Sequence, residues 1–222
     1  MKKSKTPITE SPPLGMRERK KADLKRRIAD TAIELIRERG YENTTVDEIV
    51  RQVDVSQPTF YNYYPNKDAI LAEYSITVFA PLFNREFERS GTVATRMRRY
   101  LRSMAEQMSA DRDLWYAIAI SNAYNPIRDP ELLTASDATT RAIESIVEEG
   151  QKAGEFTTAY SAPRLASVLE GIMFRICLEW GARFPGDHSL VQAVNEGFDL
   201  FLRAATPLPG DKRIARPRRS KS

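Results

Sequence analysis

Cysteine and histidine are almost missing from this chain: Cys177 and His188 stand alone among 222 residues. A single cysteine excludes an intramolecular disulfide and points to a reducing compartment, so a cytoplasmic location is expected. One histidine and one cysteine offer no obvious zinc site or catalytic triad. No glycine-rich phosphate loop occurs, and adjacent acids such as Glu148-Glu149 suit a solvated helix face. An enzyme is therefore not expected, nor is a metal or a cofactor. Long apolar runs are lacking too. The longest charge-free stretch of the apolar interior, Leu114 to Ile127, has 14 residues, short of the roughly 20 that a bilayer-spanning helix needs. Lys2-Lys3-Ser4-Lys5 precede no apolar run, so neither a secretory leader nor a membrane partner is expected. Strand-like alternation of useful length is absent, as is any internal repeat.

What remains is charge and helical periodicity. The net charge of +4 hides its distribution. Residues 1–27 carry ten basic and three acidic groups, and residues 203–222 carry seven basic and one acidic. The ends thus hold +7 and +6, leaving −9 for the middle. An acidic body with basic ends suits a polyanion partner, although solvated tails would show the same pattern.

Residues 1–16 contain Pro7, Pro12, Pro13 and Gly15 without an apolar period and read as a flexible arm. Leu24, Ile28, Ala32, Leu35 and Ile36 then recur at helical spacing up to Gly40, a helix stop. Thr45-Val46-Asp47-Glu48 is a capping box for a short helix with Val46, Ile49, Val50 and Val53 on its apolar side. Asp54-Val55-Ser56 breaks that helix. Ser56 then caps a second short one, from Gln57 to about Tyr63, with Pro58 in its first turn. Asn66 caps a long fourth helix, which Pro81 should kink or divide. Five further helices follow, over about 92–109, 111–124, 129–153, 162–184 and 190–205. The fold class is all-α, with about nine helices.

Two short helices joined by a three-residue turn behind a longer one describe a helix-turn-helix. Val50, Val53 and Val55 can fill the angle between them. The second short helix is rich in Gln57, Thr59, Tyr61, Asn62 and Tyr63, groups able to reach DNA, and its N-terminus favours phosphate. An ordinary helical hairpin with solvated polar residues is the plainer possibility.

The stretches from Gly40 to Ile49 and from Val55 to Leu71, including Ser56-Gln57-Pro58-Thr59-Phe60-Tyr61-Asn62-Tyr63-Tyr64-Pro65-Asn66-Lys67, resemble the DNA-binding domain of the tetracycline-repressor (TetR) family. The resemblance covers about Ile28 to Leu71. Two positions depart from the family pattern. Asp54 stands where the turn often has glycine, which implies strain or a different shape. Tyr64 stands where phenylalanine is common, adding a hydroxyl that needs water or a partner.

The resemblance implies a sequence-specific regulator, usually a repressor, that binds a palindromic double-stranded operator as a homodimer. It implies phosphate contacts from Thr45, Thr59, Tyr61 and Lys67. Gln57 has amide chemistry suited to adenine, and Pro58 can touch a thymine methyl. Asn62 and Tyr63 would reach base edges or the neighbouring backbone, and Ser56 completes the candidate set. Phe60 and Tyr64 are expected in the core. The implied layout is a basic arm at 1–16, a DNA-reading domain at 17–66, a helical ligand-binding and dimerisation domain at 67–206, and a basic tail at 207–222.

That second domain should sense a small, mostly apolar molecule whose binding releases DNA. Candidate pocket residues are Phe79 and Phe83; Met97, Leu101 and Met104; Trp115, Ile118 and Asn122; and Met173, Phe174 and Cys177. The eighth helix is apolar nearly all round and should be buried on every face, with Gly171 and Gly181 admitting a close partner helix. Leu165, Leu169, Ile172 and Ile176, with Val194, Phe198 and Phe201 of the ninth, are the candidate dimer interface. The alternative is a ligand-independent regulator whose second domain serves only dimerisation or a protein partner; a core without a cavity would favour it.

Overall fold

The computed structural model describes residues 15–124, 130–182 and 189–207, and within these the side chains of 124 and 130–139 are excluded. Residues 1–14 of the basic arm, residues 208–222 of the basic tail and the segments around Asn125-Pro126 and Phe184-Pro185-Gly186 lie outside the described residues, and Met16, expected in the arm, already belongs to the first helix. Among the described residues there are nine helices and no strand: α1 (Met16–Arg39), α2 (Val46–Val53), α3 (Gln57–Tyr61), α4 (Lys67–Glu88), α5 (Val93–Ser109), α6 (Arg112–Tyr124), α7 (Pro130–Ala153), α8 (Ala162–Ala182) and α9 (Leu190–Ala205).

Local chemistry sets the boundaries. Gly40 ends α1 at φ +81° and donates its N–H to Ile36, but its ψ of 159° lies outside the left-handed helical region. The capping box of α2 is formed in both directions: the Glu48 N–H donates to Thr45 Oγ1 at 3.3 Å, and the Thr45 N–H donates to Glu48 at 3.0 Å. Asp54 closes α2 at φ 60° and ψ 56°, the one non-glycine with positive φ among the described residues. The turn therefore keeps the left-handed geometry glycine would supply, at a steric cost of about 1 kcal/mol. Ser56 caps α3 through the Thr59 N–H. That helix ends at Tyr61, earlier than the spacing predicts, so Asn62 and Tyr63 lie in the following turn. Asn66 caps α4, which runs through Pro81 undivided.

One contiguous core joins the two halves. Ile28, Ala32, Ile36, Ile49, Val53, Phe60, Tyr64 and Ile70 are buried around α1 to α4. The Tyr64 hydroxyl donates to Glu73 at 3.1 Å, and Lys25 pairs with that same carboxylate at 2.8 Å.

The dimer candidates need correction. Leu165, Leu169, Val194, Phe198 and Phe201 are buried inside the protomer, where α8 and α9 pack on each other and on α5. Only Ile172 and Ile176 keep partial exposure. Nor is α8 buried on every face within the protomer, since Val168, Gly171 and Phe174 face outward. The expectation failed because apolar periodicity does not distinguish a contact within the chain from one between copies. The close helix approach occurs at Gly197, where a Cβ would collide with Ile176, while a Cβ on Gly171 would meet open space. Gly181 is closely covered by Tyr116 of the same chain.

Candidate nucleic-acid interface and ligand cavity

The turn after α2 sets the exposure of α3. Phe60 is fully buried, and this turns Ser56, Gln57, Pro58, Tyr61 and Asn62 outward, with Thr59 and Tyr63 half-buried. Thr59, Asn62 and Tyr63 share a shallow depression of about 550 Å³ with Arg17, Lys20, Lys21 and Leu24 of α1. These cations of the first helix, without an acidic partner among the described residues, thus lie beside the recognition helix. Other basic groups of the same segment are already engaged: Arg26 with Asp23, Arg27 with the Val53 carbonyl and Lys25 with Glu73.

Besides the Ser56–Thr59 cap, three more of the candidate DNA residues carry internal duties. The Gln57 amide donates to Asp47 of α2, leaving its carbonyl as the open acceptor. Bidentate pairing with adenine therefore requires Asp47 to let go. Thr45 Oγ1 accepts the cap bond from the Glu48 N–H and donates to the Glu48 carboxylate. The Thr45 N–H and then its hydroxyl, both donating to the Glu48 carboxylate, hold that carboxyl below its ordinary range, with Arg39 and Arg51 adding to the effect. The Lys67 ammonium donates to the carbonyls of Tyr41 at 2.7 Å and Thr44 at 3.0 Å and sits 3.8 Å from the Tyr41 ring centre. Lys67 is thereby the clasp of the α1–α2 loop, with one ammonium hydrogen left over.

Two further sets of polar contacts tie the head to the rest of the chain. Asp68, in the first turn of α4, accepts from the Tyr41 hydroxyl and, at 2.7 Å, from the buried Ser121 of α6. Burial and the Asp68 carboxylate hold the Tyr41 hydroxyl protonated well above its ordinary range. Arg37 of α1 donates to Asp111, just before α6, at 2.5 Å and to the Tyr74 hydroxyl of α4 at 2.9 Å.

An apolar cavity of about 170 Å³ opens between α4, α5, α7 and α8. Five of the sequence candidates line it: Phe83, Met97, Leu101, Met104 and Met173. The other six do not. Phe79 stacks on Trp115 at 4.6 Å, and Trp115 and Ile118 are core. Asn122 and Phe174 point outward, Phe174 with 41% exposure, and are corrected as lining residues. Cys177 packs on Met108 at 3.9 Å, and burial pushes its thiol up to about 12, so it is not a thiolate at neutral pH. The lining residues that sequence reasoning missed are Phe87, Tyr100, Ile143, Leu169 and Glu170. Phe87 was legible as the one-turn continuation of Phe83, and Tyr100 as a member of the Met97, Leu101, Met104 series. Burial, with Glu144 nearby, raises the Glu170 carboxyl above its ordinary value. Tyr100, buried and near Glu170, is pushed up to about 12.

Residues 28–74 match the family model described as bacterial regulatory proteins, tetR family. Over these residues the chain carries a DNA-binding domain of the TetR type. Curated TetR-type relatives matched at 36–41% identity are covered over less than a third of their own length. One is the biofilm operon negative transcriptional regulator IcaR of Staphylococcus epidermidis, 40% identical over 47 residues, 21% of this chain and 25% of that one. A longer match is the fatty acid metabolism regulator protein of Bacillus subtilis, 29% identical over 147 residues, 66% of this chain and 64% of that one. Among solved structures, the Thermus thermophilus repressor FadR, in complex with lauroyl-CoA, superposes with a TM-score of 0.69 and 29% identity. That superposition covers 84% of this chain and 99% of the other. No helix among the described residues is long and apolar enough to cross a membrane. Among the same residues, no group of three or more His, Cys, Asp or Glu could hold a metal ion.

Proposed function

We propose that this chain is a sequence-specific DNA-binding repressor, released from a palindromic operator when a fatty acyl effector enters the cavity between α4, α5, α7 and α8. The observation that carries the reading is the course of α4. It begins at Lys67, just beyond the recognition helix, and ends by supplying Phe83 and Phe87 to the cavity wall. A cavity of about 170 Å³ is similar to the roughly 150 Å³ apolar cavity that binds benzene. A lauroyl chain is bulkier than benzene, so binding must part the walls, and the pliant Met97, Met104 and Met173 allow that. Displacing α4 would move Asp68 and Lys67, which hold the loop ahead of α2. The acyl class is supported by the ligand of the Thermus thermophilus repressor and by the Bacillus subtilis fatty acid regulator.

In this reading residues 17–66 read DNA and residues 67–206 sense and dimerise. Thr45, Thr59, Tyr61 and the spare Lys67 hydrogen hold phosphates, while Gln57, Pro58, Asn62 and Tyr63 address base edges. Two copies pair through the outward faces of α8 and α9, where Val168, Phe174 and Leu200 are exposed apolar groups. The effector must favour the conformation that does not hold DNA, and operator must weaken effector binding by the same factor.

The test selects an operator from randomised duplexes and follows its release by fluorescence anisotropy. Lauroyl-CoA should raise the operator Kd, and operator should raise the lauroyl-CoA Kd equally. Operator binding unmoved by saturating lauroyl-CoA would overturn the acyl effector. The ligand-independent alternative would then stand.

A further inference from the structure

We infer that the end of α4 and the start of α5 form an anion site beside the cavity, built to hold the phosphate-bearing head of an acyl effector. The inference rests on the acyl reading above and adds the chemistry of the head. Glu86 is only 2% exposed, yet three guanidinium groups surround its carboxylate: Arg85 at 3.0 Å, Arg89 at 3.4 Å and Arg99 at 3.4 Å. Three cations on one anion leave two positive charges unmatched. Other arginines of α5 differ, since Arg96, Arg98 and Arg102 each have an acid of their own in Glu149, Asp199 and Glu106. Arg85 and Arg89 are 57% and 59% exposed, so their outer donors face solvent. A buried carboxylate that gathers arginines with open outer faces orients them for an incoming anion.

The position relative to the cavity is set by helix geometry. Phe83 and Phe87 are one turn apart on α4, both line the cavity, and Glu86 lies between them. On α5, Tyr100 lines the cavity and Arg99 precedes it by one residue, a rotation of about 100°. Phe83, Phe87 and Tyr100 form an aromatic cluster, with centroids 4.4 to 6.1 Å apart, between the apolar space and the arginines. The Arg96 guanidinium, paired with Glu149, lies 5.8 Å from the Phe87 ring centre. The Arg99 Nε is buried, and its 3.4 Å contact with Glu86 is an ion pair without hydrogen-bond geometry. A multiply charged head would accept from the solvent-facing donors of Arg85 and Arg89. An apolar tail between aromatic and methionine side chains and a phosphate head among guanidinium groups describe an acyl thioester of a nucleotide-bearing carrier, rather than a free fatty acid.

The probes are lauroyl-CoA, laurate, coenzyme A and the neutral apolar dye Nile red. They are titrated into the full chain and into an Arg85→Gln/Arg89→Gln variant. Buried Glu86 keeps Arg99 as its partner, so the variant should stay folded with a lowered melting temperature and unchanged Nile red binding. The wild type should bind lauroyl-CoA more tightly than laurate. The variant should lose about tenfold or more in lauroyl-CoA affinity and show a shallower salt dependence. A variant with wild-type affinity and salt slope would overturn the anion site, leaving the arginines as a tie between α4 and α5. A wild type that binds Nile red and laurate, but lauroyl-CoA no better than laurate, would overturn it while leaving the apolar cavity as an effector site. If the wild type binds none of the apolar probes, the acyl reading fails and this inference fails with it.

Discussion

At the scale of residues, two side chains do more than the sequence pattern asks. Tyr64 carries a hydroxyl where phenylalanine is common, and the hydroxyl has a partner in Glu73. Tyr64→Phe should therefore lower stability by about 0.5–1 kcal/mol, read by urea unfolding, even though it restores the common residue. A stability equal to or above wild type would show that the bond contributes nothing. Lys67 combines two roles. Its ammonium clasps the α1–α2 loop, so Lys67→Ala should destabilise the fold by about 1–2 kcal/mol. It should also weaken DNA binding alike for every sequence, because a phosphate contact carries no base preference. A changed preference profile in a randomised operator library would refute that assignment. Burial and the neighbouring Glu73 carboxylate also push the Tyr64 hydroxyl far above its ordinary value, so it remains a donor at every pH the protein survives.

At the scale of elements, local chemistry was legible and packing was not. Thr45, Ser56 and Asn66 could be placed as caps because each acts on an N–H three residues away. The starts of α2, α3 and α4 were legible for the same reason, whereas α3 ends two residues earlier than the spacing predicts. The facing of α8 was not. Met173 lines the cavity, while Phe174 beside it points outward, and no periodicity in an all-apolar helix separates them. Leu169 and Phe198 looked like contacts between copies but are core, since only the packing of α9 on α8 decides what is covered. Gly197, which permits that approach, carries its meaning through Ile176 on another helix, 21 residues away. The α2–α3 turn shows the reverse case. Asp54 takes a left-handed conformation that glycine reaches without strain. Asp54→Gly should raise stability by about 0.5–1 kcal/mol, the relief exceeding glycine's extra chain entropy. An unchanged or lower denaturation midpoint would mean that the turn is unstrained.

At the scale of the whole molecule, the two halves communicate through few polar links, and these can be cut singly. Ser121 of α6 donates to Asp68, the carboxylate that also accepts from Tyr41. Ser121→Ala should leave operator affinity near wild type but shrink the factor by which lauroyl-CoA raises the operator Kd. Such coupling factors usually span about 5- to 150-fold. An unreduced factor would remove this link from the pathway. Glu170 tests the cavity itself. Its carboxyl is raised in the folded state by burial and by Glu144, so the unfolded chain holds its proton less tightly. Ionising Glu170 therefore costs folded-state stability as pH rises through its range. Glu170→Gln should stabilise the protein at neutral pH, and the gain should fade below the ordinary carboxylate value near about 4.3. A gain that persists undiminished into acid would show that charge is not its source.

The silence of Cys177 has a practical side. Its thiol is buried against Met108, and no other cysteine exists in the chain. A cysteine placed at exposed Asn62, in the turn that follows the recognition helix, would be the one exposed thiol open to a thiol-directed spin label. The native residue need not be mutated away. In a dimer each molecule would then carry two labels, one per reading head, and their separation with and without effector becomes a spectroscopic ruler.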